Sequence, residues 1–288
     1  MRLIQLHLLL ASFAVFFAAS ASGNDEFSND IIGGRPARNG QWPWQVYLAI
    51  YKPDTGKTTL CGGSLISRRH IVTAAHCTFG VQAHNIRAML GSVKQYDNTQ
   101  NNPYTLYLDA QRVVVHPKYP GNDPSFRNDI SIIELEANVE FNVNTQPIRI
   151  RKNDSELNHD GIYAYVTGWG RTSASSFGSP TLMETRIPIL EHPYCIDRWL
   201  AISRGRIVID DTQVCAGSFL RGTAPGDSGG PLVVQASDRN WYLVGLTSFG
   251  DNSVAGLEDQ LYYPGVYLRL SRYCDFISSS TNYLALCL

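Results

Sequence analysis

Short runs dominated by apolar and β-branched residues recur along this chain, separated by clusters of turn-forming residues. Val46-Tyr47-Leu48-Ala49-Ile50, Gln111-Arg112-Val113-Val114-Val115, Ile130-Ser131-Ile132-Ile133-Glu134-Leu135 and Trp241-Tyr242-Leu243-Val244-Gly245-Leu246 are such runs. Asp97-Asn98-Thr99-Gln100-Asn101-Asn102-Pro103 is such a cluster. Many short strands with turn signals between them predict an all-β fold, either a barrel or a sandwich. Residues 271–286 read differently, as one amphipathic helix near the end of the chain. There is no internal repeat, no heptad pattern and no low-complexity linker.

The N-terminus follows another logic. Arg2 supplies a positive start, Leu3 to Phe17 is almost entirely apolar, and Ala19-Ser20-Ala21 offers a small-residue cleavage site. This is the pattern of a secretory signal over 1–21. The apolar run is short for a bilayer span of about 20 residues, and no later run is longer, so secretion is expected and a membrane anchor is not. A polar segment, 22–30, precedes a main unit at 31–288, which suits one large all-β domain or two small ones with a sizeable core. The net charge is −1, and neither a basic run nor an acidic tail is present, so nucleic acid is not an expected partner. The six cysteines, an even number, fit an oxidising compartment but leave their pairing open. No two of them stand at Cys-x-x-Cys spacing, and Gly91 to Pro103 carries only one acid, Asp97, so no metal or cofactor is expected.

The chemistry is concentrated in three places. Gly226-Asp227-Ser228-Gly229-Gly230-Pro231 presents one serine among glycines. A serine hydroxyl is a weak nucleophile, so it needs a base and a home for the oxyanion it creates. Thr73-Ala74-Ala75-His76-Cys77 offers the base, and Asn128-Asp129-Ile130 offers a carboxylate to orient it. Each motif alone has an ordinary explanation as a turn, a surface histidine or a cap. Together, in the order His, Asp, Ser, they resemble the trypsin/chymotrypsin-like serine endopeptidases over residues 31 to about 286. The resemblance implies two antiparallel six-stranded β-barrels packed face to face, about 31–145 and about 146–270, followed by the helix at 271–286. It implies that His76, Asp129 and Ser228 are catalytic, with the backbone N–H groups of Gly226 and Ser228 as the oxyanion hole. Pro225 lacks an N–H but is neither donor. The family pairs Cys61 with Cys77 and Cys195 with Cys215, leaving Cys274 and Cys287 to each other. Implied partners are protein or peptide substrates and macromolecular protease inhibitors, with the enzyme acting as a monomer. A rival reading is a secreted homologue that binds without cutting. Such proteins usually lose a triad member or the oxyanion glycine, and this chain retains both.

Specificity in the family is set by a pocket whose base lies six residues before the serine, here Gly222. Gly250 and Gly265 match its walls, while Ser248, Phe249 and Gly250 match the edge that pairs with substrate backbone. An open, uncharged slot favours a large apolar side chain: Phe, Tyr, Leu or Met. Three departures bear on this. Ala224 stands where the family has one half of a pocket disulfide, and no second cysteine appears. Phe249 replaces a Trp, and Asp251 to Tyr263 is long and carries Glu258 and Asp259. Either carboxylate, if it reached the pocket, would favour basic side chains instead.

Ile31-Ile32-Gly33-Gly34 resembles the family's new N-terminus, exposed when a propeptide is cut away. The freed ammonium of Ile31 would then insert beside Asp227 and hold the oxyanion loop in shape. Asp30 stands where Arg or Lys is usual, and neither occurs from Ser22 to Asp30. Cleavage after Asp30 by an aspartate-preferring protease is one route, and cleavage after Phe27 followed by trimming is another. N-terminal sequencing of the natural mature protein is expected to read Ile-Ile-Gly-Gly, and any other start would remove this activation scheme.

Overall fold

The computed structural model describes residues 31–288. The expected signal at 1–21, the segment 22–30 and the Asp30 junction lie outside the described residues. The first half runs β1 (Arg35–Pro36), β2 (Gln45–Lys52), β3 (Lys57–Leu65), β4 (His70–Thr73), α1 (Ala75–Thr78), β5 (Ile86–Leu90), β6 (Leu106–Val115) and β7 (Ser131–Leu135). The second runs β8 (Tyr163–Gly168), β9 (Met183–Leu190), α2 (His192–Ser203), β10 (Gln213–Ala216), β11 (Pro231–Gln235), β12 (Trp241–Phe249), α3 (Val254–Glu258), β13 (Gly265–Arg269) and α4 (Cys274–Ser280). Strands β2-β3-β4-β7-β6-β5 close into one antiparallel barrel. Strands β9-β10-β13-β12-β11-β8 close into a second through the β8–β9 pairing, and β1 adds to the outside of β9.

The period-2 pattern explains how each strand serves two cores at once. On β2, Val46, Leu48 and Ile50 point into the first barrel with Leu65, Ile71, Ile86 and Ile133. The intervening Tyr47 points the other way, into a layer between the barrels with Trp42, Trp44, Ile132, Trp169, Leu246 and Leu268. Strand β11 repeats the device, with Leu232 and Val234 inside the second barrel and Val233 in the shared layer. Burying each such side chain contributes about 1.5–3 kcal/mol, so the two barrels are held together by the same kind of packing that holds each one. The three disulfides are Cys61–Cys77, Cys195–Cys215 and Cys274–Cys287, as expected. Among the described residues no helix is long and apolar enough to cross a membrane.

The C-terminal helix is shorter than the 271–286 the pattern predicts. Residues Leu270–Tyr273 form a 3-10 turn, and α4 ends at Ser280. The hydroxyls of Ser278, Ser279 and Thr281 donate to the carbonyls of Asp275, Phe276 and Ile277, competing with the helix's own donors. Asn282 and Tyr283 then take left-handed backbone conformations, φ 49° and 62°, which turn the chain out of the helix. The tail runs back to residues 150–152, where the Leu288 amide donates to the Ile150 carbonyl at 2.9 Å.

One buried ion pair fastens the second barrel to the segment that leads into it. Asp154, 5% exposed, accepts from Arg269 Nε at 2.8 Å, Arg269 Nη2 at 2.6 Å and Ser271 Oγ at 2.9 Å. Burial pushes the Asp154 carboxyl up, but the bonds from Arg269 and Ser271 outweigh it and hold it below the ordinary carboxylate value. Asp154→Ala, which strands the guanidinium, is expected to cost about 3 kcal/mol, read as a lower urea midpoint at neutral pH. A depressed carboxyl contributes stability above its unfolded value, near pH 4, and loses it as pH falls through the folded value. The gap between variant and parent should therefore shrink in acid.

Candidate active site

His76 stands on the one-turn helix α1, just beyond β4 of the first barrel. Asp129 lies immediately before β7, where left-handed backbone at Phe126 (φ 49°) and Asn128 (φ 57°) swings the chain inward. Its carboxylate is fully buried. Asp129 Oδ1 accepts from the His76 backbone amide at 2.8 Å, and Oδ2 lies 2.8 Å from His76 Nδ1. A carboxylate has no proton to give, so Nδ1 carries the hydrogen and Nε2 of the neutral ring is left as the acceptor. Ser248 Oγ also donates to Asp129 Oδ2, at 2.6 Å. This second donor comes from the other barrel.

Ser228 sits in the loop before β11 and lines one cleft with His76. The loop is threaded tightly between the barrels. Gly62 on β3 donates its amide to the Ser228 carbonyl at 2.8 Å, and Gly229 donates to Thr247 at 2.8 Å. Gly226 has φ +105°, and a Cβ there would come within 2.8 Å of Gly170 Cα, so only glycine suits the position. The Asp227, Gly229 and Gly230 amides are bonded to Ala224, Thr247 and Asp227 carbonyls. The amides of Gly226 and Ser228 have no acceptor among the described residues. Two free amide donors therefore flank the serine.

Asp227 points away from that cleft and is fully buried. Its Oδ1 accepts from the Gly170 amide at 2.8 Å and its Oδ2 from the Ala224 amide at 2.9 Å. Burial raises its carboxyl to about 7 in spite of these bonds. The Ile31 side chain is also fully buried, within the second barrel's core beside Leu157, Ala164 and Val166.

The cleft has a volume of about 420 Å³. Ser248, Phe249, Gly250 and Gly265 line it, and nothing lies within 4 Å of a Cβ built on Gly250, so that wall is open. Gly222 does not border the open space. A Cβ there would fall 1.8 Å from Oε1 of Gln260, which fills the floor. Gln260 comes from the long segment 251–263; Glu258 and Asp259 of that segment do not line the cleft. Phe126 packs edge-on to His76 at 5.6 Å and stacks on Phe249 at 5.2 Å, with Trp199 edge-on behind Phe249 at 5.1 Å. Among the described residues the one group of metal-ligating side chains is Cys61, His76 and Cys77, and its two sulfurs are joined to each other with no thiolate to offer.

The family model described as Trypsin matches residues 31–277. Chymotrypsin-C of Rattus norvegicus is 35% identical over 272 residues, covering 92% of this chain and 95% of that protein. Venom protease of Bombus pensylvanicus is 31% identical over 252 residues, covering 85% and 96%. CLIP domain-containing serine protease B4 of Anopheles gambiae is 31% identical over 266 residues, covering 88% and 71%. The chain belongs to the trypsin family. It is a serine-type endopeptidase, acting on protein or peptide substrates.

Three contributors to this site escape a reading of the sequence. Ser248, expected only at the backbone edge, gives its hydroxyl to Asp129. Phe126 carries no motif, and its signal is confined to its place two residues before Asn128. Gln260 is a neutral amide in a loop marked by its length and by Glu258 and Asp259.

A carboxyl raised by burial keeps its proton in the fold after the unfolded chain has lost it. Stability of the chain should therefore fall as pH rises from about 4 towards about 7, with a slope of at most about 1.4 kcal/mol per pH unit. Denaturant titrations across this range, with Asp227→Asn expected to flatten the slope, check it.

Proposed function

We propose that this chain is a secreted, chymotrypsin-like endopeptidase that works through His76, Asp129 and Ser228. The carrying observation is the Nδ1 bond from His76 to buried Asp129, which leaves Nε2 as a base in the cleft that Ser228 lines. In the acylation step Ser228 Oγ bonds to the scissile carbonyl carbon and its proton passes to His76 Nε2. The same proton goes on to the leaving amine as the C–N bond breaks, and water then releases the acyl group by the same route. Asp129 keeps the ring in the right tautomer and stabilises the imidazolium, a role worth about 10⁴ in kcat. The free amides of Gly226 and Ser228 receive the oxyanion, each worth about 3–4 kcal/mol.

The activation scheme belongs to the same proposal. A signal at 1–21 directs secretion and removal of 22–30 frees Ile31, whose ammonium then meets the Asp227 carboxylate. Support comes from the cost of leaving that carboxylate ionised and buried with only two amide donors. The cleft walls carry Phe249, Leu257, Ala224 and the open Gly250, which favours a large apolar side chain at P1, the substrate residue before the cut bond. Macromolecular inhibitors that mimic such a substrate are the other expected partners, and the enzyme acts as a monomer.

A fluorophosphonate that reacts with activated serines tests the core of this reading, on protein made to begin at Ile31. Rapid labelling that disappears in Ser228→Ala is expected. A folded protein with a free Ile31 that does not label would overturn it.

A further inference from the structure

The floor of the cleft carries an acceptor that nothing in the protein satisfies. Gln260 is 3% exposed, and its Nε2 donates to the Thr223 carbonyl at 2.6 Å. A carbonyl can only accept, so this bond decides which end of the carboxamide faces Thr223 and turns Oε1 the other way. Oε1 is buried and has no hydrogen-bond partner among the described residues. It sits where the two segments bounding the pocket meet, 1.8 Å from a Cβ built on Gly222 and 3.3 Å from one on Gly265. The oxygen thus occupies the space a side chain at the pocket base would fill. Buried acceptors without donors are uncommon, and one set at the end of a binding cleft is most simply completed by what binds there.

We infer that Gln260 is a specificity-determining residue, and that its Oε1 accepts a hydrogen bond from a P1 side chain ending in a neutral donor. The inference rests on the endopeptidase reading and narrows its substrate class: among large, mostly apolar P1 residues, tyrosine is taken over phenylalanine. A phenyl ring fills the same walls but leaves Oε1 as unpaired as before, whereas a phenol O–H completes it. Arginine and lysine are poorly served at the floor, where a full charge would meet the neutral Gln260 oxygen. The carboxylate that lines the cleft is Asp251, at the other end of the segment, and its Oδ1 accepts the Ser253 amide at 2.8 Å. The long segment 251–263 thereby has a function: it carries an amide, not an acid, to the floor.

The test compares kcat/KM for two peptides identical except for Tyr or Phe at P1, normalised to active sites counted with the fluorophosphonate. A preference for Tyr of about ten-fold is expected. Gln260→Met, which keeps the length and removes the acceptor, should bring the ratio near one. Gln260→Glu should open cleavage after Arg and Lys, and it carries the test alone if the Met variant does not fold. A Tyr to Phe ratio near one in the parent, or a ratio unmoved in Gln260→Met, would overturn the inference. So would a Glu variant still blind to basic residues. If Ser228 labels but neither peptide is cut, the floor assignment fails and the endopeptidase reading stands. If Ser228 does not label, both fail together.

Discussion

A carboxylate that no water reaches governs the shape of the loop that presents Ser228. Asp227 is fully buried and held by two backbone amides, those of Gly170 and Ala224. Removing a carboxylate from water costs several kcal/mol even after relaxation, and two neutral donors do not offset that cost. The raised carboxyl value, about 7, expresses the same deficit. Gly226 and Ser228 flank Asp227 in the chain, so the direction of their amides follows from where its side chain can go. The surroundings leave little choice: a Cβ on Gly168 or Gly170 would lie 2.0 or 2.6 Å from atoms of the Asp227 carboxyl group. The site's geometry is therefore tied to the electrostatics of a residue that never touches substrate.

The second constraint is the joint between the barrels. His76 and Asp129 belong to the first, Ser228 and Ser248 to the second. A relative shift of about 1 Å would break the bond between Ser248 and Asp129 and change how Ser228 stands to the imidazole. The shared layer of Trp42, Trp44, Tyr47, Trp169 and the inward faces of β7, β11 and β12 resists such a shift, because close-packed interiors deform little. A polar contact then sets the register, the Gly62 amide of the first barrel donating to the Ser228 carbonyl at 2.8 Å, while Thr73 Oγ1 braces the Gly62 carbonyl from within that barrel at 2.8 Å. Packing holds the barrels, and these few bonds aim the residues.

What could be read from the chain beforehand follows the range of the interaction. The strand runs were legible because alternation is local, and so were the barrels once the motifs named a family. His76, Asp129 and Ser228 each sit in a short segment whose neighbours are themselves constrained, glycines around the serine above all. Two of the three disulfides also followed the resemblance, and Cys274–Cys287 was the pair that remained. Ser248 did not announce its hydroxyl bond, since its partner lies 119 residues away and in the other barrel. Gln260 reaches Gly222 only because of how an irregular segment folds back, which no periodicity encodes. The end of α4 was misjudged over 271–286 because the apolar spacing continues while three hydroxyls and a left-handed turn stop the helix.

The absent pocket disulfide has a physical substitute. Ala224 packs with Leu257 of α3 and with Ile32, all buried, in a small apolar cluster. Ser253 caps α3 by accepting the Gly256 amide at 3.0 Å, which fixes the turn that delivers Leu257. The Gly222 amide donates to the Ile32 carbonyl at 3.2 Å, and the Leu220 amide to the Glu258 carbonyl at 2.7 Å. A covalent bridge would tie two loops to each other and nothing else. This cluster ties the same region to a third partner, the segment that begins at Ile31. Whatever seats Ile32 therefore also positions Ala224 and, through α3, Gln260. A cross-link holds a pocket regardless of events elsewhere, whereas apolar contacts hold it only while every member is in place. In this chain the shape of the cleft and the seating of the segment from Ile31 are consequently one packing problem.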